Sequence, residues 1–190
     1  MKDMNIMIVG VGGQGTLLTS RIIGKTALNF GLDVKMSEVH GMAQRGGSVV
    51  TFVRFGEKVN QPVIDEGTAD VLIAFEKLEA LRYSHFVKKD GIIIVNDCRI
   101  DPMPVVTGAS EYPKDIIENL KEKHNVAVVL GTKIANELGN NKVLNSVVLG
   151  FSAKKIGFSK EQWLETLKNT VPSKTIELNE KAFLMGYDFD

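Results

Sequence analysis

Six residues, Gly10-Val11-Gly12-Gly13-Gln14-Gly15, constrain this chain more than any other segment. They satisfy the spacing G-x-G-x-x-G between an apolar run, Ile6 to Val9, and a stretch from Thr16 to Phe30 with Leu18, Ile22, Ile23, Ala27 and Phe30 at helical spacing. Glycines there permit a tight strand-to-helix turn and let backbone amides approach a phosphate. The helix aims unpaired N–H groups and the positive end of its dipole at the same spot. Close packing of helix on sheet would also use such glycines, but the strand and helix flanks favour a phosphate-bearing ligand. The segment predicts a fold that opens strand, loop, helix, with Gly10, Gly12, Gly13, Gln14, Gly15 and Thr16 at the ligand.

The remaining pattern extends that opening. Gly31 suits a left-handed helix end, and Val34 to Val39 reads as a second strand. Ser48 to Phe55 is β-branched and aromatic, and Gly56-Glu57 offers a turn into Lys58 to Ile64, which predicts an antiparallel hairpin or edge excursion. Asp70 to Phe75 is the next core strand. A helix is expected from Glu76 to Lys89, acidic at its start and basic at its end, before Asp90-Gly91 turns the chain into the strand Ile92 to Asn96. Asp101 to Pro104 breaks regular structure, Pro113 to Lys123 reads as helical, and Val126 to Leu130 fits a last strand or a buried helix start. Ser159 and Gln162 form a capping box ahead of Trp163, Leu164 and Leu167, and Pro172-Ser173 precedes a final helix ending near Gly186. Alternating strands and helices without a linker or repeat predict one α/β domain over 1–190: a single Rossmann-like three-layer domain with a mostly parallel sheet and C-terminal helices.

A second concentration of unusual residues, Ser37 to Gly47, follows the second strand. Loops at the carboxyl ends of strands form the ligand crevice of an open α/β sheet, so it should lie beside the first loop. His40, Gln44 and Arg45 stand there among three glycines, and Arg45 could grip a phosphate or carboxylate in two-pronged fashion. A nicotinamide site would want an acid about 20 residues beyond the glycine loop; Lys35 lies at that distance and Glu38 comes late. No Gly-Lys-Ser/Thr ends the loop, which argues against nucleotide hydrolysis. His40, His85 and His124 show no ligand spacing; His85, in line with Leu78 and Leu81, reads as partly packed core. Cys98 reads as a small, half-buried residue rather than a reactive thiol.

Composition narrows the partners. With 23 basic against 23 acidic residues in 190, the chain lacks the positive surface of a nucleic-acid binder. No apolar run reaches the roughly 18 residues of a membrane span, and the N-terminus lacks a signal-peptide core, so no membrane partner and a cytoplasmic location are expected. One cysteine cannot hold an iron–sulfur cluster or a four-cysteine metal site, and no metal is expected on this chain.

Taken together, Ile6 to Gly15, Glu38-Val39-His40-Gly41-Met42-Ala43-Gln44-Arg45-Gly46-Gly47, Asn145 with Leu149-Gly150, and Glu177 to Phe183 resemble the gamma-type subunits of 2-oxoacid:ferredoxin oxidoreductases, nearest the indolepyruvate branch, over essentially the whole chain. The resemblance implies a complex that decarboxylates a 2-oxoacid, delivers the acyl group to coenzyme A and passes electrons to ferredoxin. Thiamine diphosphate, its Mg ion and the iron–sulfur clusters would belong to a larger partner subunit, within a possible higher hetero-oligomer, and this chain would be inactive alone. It further implies that amides of Gly12, Gly13, Gln14 and Gly15, with the Thr16 hydroxyl, hold the phosphates of coenzyme A. Arg45, His40 and Gln44 would face the partner's active site. A related pyruvate, 2-oxoglutarate or 2-oxoisovalerate enzyme, a stand-alone NAD-dependent oxidoreductase and a non-catalytic assembly subunit are the alternatives.

Overall fold

A computed structural model describes residues 3–41 and 46–189. The elements run β1 (Met4–Val11), α1 (Thr16–Asn29), β2 (Asp33–His40), β3 (Ser48–Gly56), β4 (Ala69–Ala74), α2 (Lys77–Tyr83), β5 (Val87–Asn96), α3 (Met103–Val106), α4 (Ile116–Lys121), β6 (Asn125–Val129), α5 (Gly131–Glu137), α6 (Leu144–Ile156), α7 (Lys160–Lys168) and α8 (Ile176–Tyr187). The strands form one sheet in the order β2-β3-β1-β4-β5-β6. The pairs β1–β4, β4–β5 and β5–β6 are parallel, whereas β3 runs antiparallel to both β1 and β2.

Alternation along the strands builds two apolar layers. Ile6, Ile8, Ile73 and Val53 face a core shared with Ile22 and Ile23 of α1, Val147 and Val148 of α6, Trp163 of α7 and Phe183 of α8. Met7, Val9, Leu72 and Phe52 face the other side, where Ala80 of α2 and Ile116 and Leu120 of α4 cover them. The expected three-layer domain with a mostly parallel sheet and C-terminal helices is what the chain forms.

Three expectations need correction. Lys58 to Ile64 is not a strand: both edges of β3 are occupied by β1 and β2, and Pro62 has no N–H to offer a ladder. The segment is pinned instead by Arg54, whose guanidinium donates to the carbonyls of Gln61 (3.2 Å) and Val63 (3.0 Å). The helix after β4 stops at Tyr83, and Ser84–Phe86 tightens into a 3₁₀ turn. Val87 is buried and pairs across Ala69, so Lys88 and Lys89 lie in β5, where Lys88 binds Asp70 at 2.7 Å. Glu76 does cap α2, its carboxylate accepting the Glu79 N–H at 3.0 Å. His85 is corrected too: it is half exposed, its ring against Phe86 and its Nε2 3.6 Å from Glu66. Val126 to Leu130 resolves as the strand β6, and the capping box of Ser159 and Gln162 is present on α7.

Candidate functional site

The glycine loop is built from β1 outward. Gly10 lies in the buried part of the strand, where an added Cβ would fall 2.9 Å from Gln14 Oε1 and 3.0 Å from Phe75 Cβ. Gln14 closes the turn: its Oε1 accepts the Val11 N–H at 2.8 Å and its Nε2 donates to the Phe75 carbonyl at 3.0 Å. Gly13 (φ 106°) and Gly15 (φ 88°) occupy the left-handed region, which only glycine enters freely. Helix α1 then begins at Thr16, with Thr19 N–H to Gly15 carbonyl (3.1 Å) as its first internal bond. The N–H groups before Thr19 have no intrahelical partner and point out of the helix end.

The second loop does lie beside the first. Gly12 N–H donates to the Gly47 carbonyl at 2.8 Å and Gly46 N–H to the Gly12 carbonyl at 3.4 Å, continuing the β1–β3 pairing in which Gly10 faces Val49 and Val11 faces Ser48. At the base of this loop the Ser48 hydroxyl donates to the Glu79 carboxylate, which also takes Arg82 at 2.9 Å. Burial pushes the Glu79 carboxyl above the usual range, with Ser48 and Arg82 opposing the shift. The same bonds narrow the amides available to a ligand. Those of Gly12 and Gln14 are spent inside the fold, the latter on the Val11 carbonyl at 3.2 Å, whereas those of Gly13 and Gly15 have no acceptor among the described residues.

Gly12, Gly13, Gly15 and Thr16 line one cleft of about 460 Å³ together with His40, Glu38, Leu17 and Val49. Gly10 and Gln14 shape the loop from behind and do not line it. His40 is exposed at the end of β2, its Nδ1 3.1 Å from the Gly41 carbonyl. Gln44 and Arg45 lie outside the described residues. Glu38 stands on the cleft wall within reach of Thr51 Oγ1 (3.3 Å), a position that sequence distance alone had discounted. Because β3 is interposed, β2 sits two strand spacings, about 10 Å, from β1. In a dinucleotide fold the acid-bearing strand is the immediate neighbour of the first, so this spacing weighs against a nicotinamide site. Leu17 and Val49 gave no sequence signal; only pairing of β3 with β1 brings Val49 there.

A larger cleft, about 720 Å³, opens beyond β5 among Lys77, Arg99, Tyr112 and Lys114. Lys77 is paired with Asp97 at 2.9 Å and Arg99 with Asp101 at 2.6 Å, so two of its cations are already neutralised. Cys98, beside it, is half-buried and burial raises its thiol pKa, which disfavours the thiolate. Among the described residues no group of three or more His, Cys, Asp or Glu could hold a metal ion, and no helix is long and apolar enough to cross a membrane.

Comparison with known proteins identifies the fold and its lineage. The family model for pyruvate ferredoxin/flavodoxin oxidoreductase matches residues 5–189. Indolepyruvate oxidoreductase subunit IorB of Thermococcus kodakarensis is 42% identical over 192 residues, covering 98% of this chain and 95% of that one. The IorB subunit of Archaeoglobus fulgidus is 44% identical over 190 residues, covering 97% and 94%. Among solved structures, the gamma subunit of a keto/oxoacid ferredoxin oxidoreductase from Geobacter sulfurreducens shares the fold with a TM-score of 0.71 at 24% identity, over 97% of this chain and 96% of that chain. A 2-oxoglutarate:ferredoxin oxidoreductase from Magnetococcus marinus, solved with 2-oxoglutarate, coenzyme A and succinyl-CoA bound, matches with a TM-score of 0.75 at 20% identity, over 98% of this chain but 30% of that one. The chain therefore belongs to the pyruvate ferredoxin/flavodoxin oxidoreductase family, as a gamma-type subunit of the 2-oxoacid ferredoxin oxidoreductases.

Proposed function

We propose that this chain is the small subunit of an indolepyruvate ferredoxin oxidoreductase, that it holds coenzyme A at the glycine-loop cleft, and that it completes the active site of a larger partner. The observation that carries the reading is the cleft itself, in which the amides of Gly13 and Gly15, the Thr16 hydroxyl and the start of α1 converge beside the loop that leads to Arg45. Such a helix end favours a phosphate, and fixed amides do so without the reorganisation that water requires. Glu38 and Leu17 on the walls suit a ligand that also carries hydroxyl donors and apolar surface, as coenzyme A does. A substrate assignment to indolepyruvate rests on the IorB relatives, at about 42% identity, over pyruvate/ketoisovalerate gamma subunits such as that of Pyrococcus abyssi at 30%.

Redox and carbanion chemistry do not fit this chain's own side chains. One cysteine is too few for the thiolate ligands of an iron–sulfur cluster. The clusters and thiamine diphosphate belong to the partner in this reading, and this chain contributes orientation: it holds the incoming thiol carrier while His40, Gln44 and Arg45 face the partner's active site. Alignment of two reactants lowers a barrier by several kcal/mol without any covalent step on the aligning chain. Native co-purification should recover a larger subunit with thiamine diphosphate and iron, active on indolepyruvate above pyruvate. Arg45→Ala in that complex should lower turnover at least tenfold. Recovery of this chain alone, or unchanged turnover in the variant, would contradict the proposal.

A further inference from the structure

Asn145 is 3% exposed, in the first turn of α6, and its Nδ2 has no hydrogen-bond partner among the described residues. Buried polar side chains are nearly always paired, so an orphaned amide asks what it is kept for. Its surroundings answer in part. A Cβ added to Gly15 would fall 2.8 Å from Asn145 Cβ and 3.1 Å from Cγ, so the Asn145 side chain packs directly against the residue that opens α1 and lines the cleft. Glycine at 15 is what admits it.

The adjacent Ser146 and its partner Asn179 are hydrogen-bonded, whereas Asn145 Nδ2 is not. Ser146 donates to Asn179 Oδ1 at 2.7 Å, and Asn179 Nδ2 donates to the Thr175 carbonyl at 2.8 Å. Those bonds tie the first turn of α6 to α8, and the backbones of the two helices meet at Gly150 and Gly186. Asn145 thus stands on a helix turn tied to α8, with its Nδ2 uncommitted. An uncommitted donor on a rigid support is the arrangement that a pre-organised anion site requires.

We infer that Asn145 is a ligand-positioning residue of the glycine-loop cleft: its side-chain amide joins the Gly13 and Gly15 N–H groups as a donor to the phosphate of a phosphorylated thiol carrier. The inference rests on the reading that coenzyme A occupies this cleft. It assigns the phosphate, rather than the thiol end, to the junction of α1 and α6.

The test uses the reconstituted complex and compares KM for coenzyme A with KM for pantetheine, which has the thiol arm but no phosphate. Asn145→Ala should raise KM for coenzyme A about tenfold, as expected for a lost hydrogen bond to a charged group. Asn145→Asp, which keeps the shape but replaces the donor with a negative charge, should raise it further. KM for pantetheine and kcat should be preserved in both. A purely structural role predicts the reverse order, with the isosteric Asp the milder change, and equal effects on the two thiols; either result overturns the inference. Gly13→Asp serves as the control. If it weakens coenzyme A while both Asn145 variants do not, the cleft is right and Asn145 is not part of it; if none of the three alters coenzyme A, the occupant itself is wrong.

Discussion

Tyr112 and Glu76 show how one buried carboxyl group can anchor a whole arm of the molecule. Glu76 is 1% exposed, yet it accepts from Tyr112 Oη at 2.6 Å, from Glu79 N–H at 3.0 Å and from Ile100 N–H at 3.2 Å, so the segment between β5 and α4 is tied to the start of α2. Burial, reinforced by the hydrogen bond to Glu76, pushes the Tyr112 phenol well above the usual tyrosine range. A group whose pKa is raised on folding contributes its full stability below the unfolded value and loses it as pH rises through the folded one. Absorbance titration of the three tyrosines should therefore show one ionising late, and Tyr112→Phe should remove that component and cost about 1–3 kcal/mol in urea unfolding, because Glu76 loses a donor. An unchanged titration in the variant would contradict the assignment. Neither partner was legible in the sequence, since Glu76 and Tyr112 are 36 residues apart and no local pattern joins them.

At the scale of elements, local signals were readable and long-range pairing was not. Gly31 at φ 74° and the Ser159–Gln162 capping box were visible because a helix end is decided by its own few residues. The β3 insertion was half visible: its β-branched run announced a strand, but an antiparallel partner on each side is a property of the sheet, and it left Lys58 to Ile64 without an edge to join. The same limit misread Val87 to Lys89, where cross-strand burial of Val87 overrode a continuous helical charge pattern. Of the candidate site, the two glycine loops and their adjacency could be read from strand-end topology, whereas Glu38 and Val49 needed the pairing of β3 to reach the cleft and Leu17 carried no signal. The contact of α6 with α8 gives a sharp test. In an isolated helix Gly→Ala stabilises by about 1 kcal/mol, but a Cβ on Gly150 would fall 2.0 Å from the Phe183 carbonyl oxygen. Gly150→Ala should therefore destabilise by several kcal/mol, read as a lower urea midpoint; a higher midpoint would show that the helices can separate at little cost.

The whole molecule has a balanced charge and a single cysteine, and in the proposed reading it works through its backbone and its contacts with a partner. The sheet sets β1 beside β3 so that two glycine loops meet at one end, and Asn145 of α6 packs against Gly15 there. In the proposed reading electron transfer and decarboxylation belong to the partner, which makes coenzyme A the natural test of what this chain contributes. Gly13 is the position to probe: it lines the cleft, and a Cβ there would meet nothing within 4 Å, although its φ of 106° carries some strain for other residues. The decisive measurement is coenzyme A binding to the reconstituted complex by titration calorimetry, wild type against Gly13→Asp, with the thermal stability of both recorded. The account predicts at least tenfold weaker binding in an equally folded variant; unchanged affinity would contradict it.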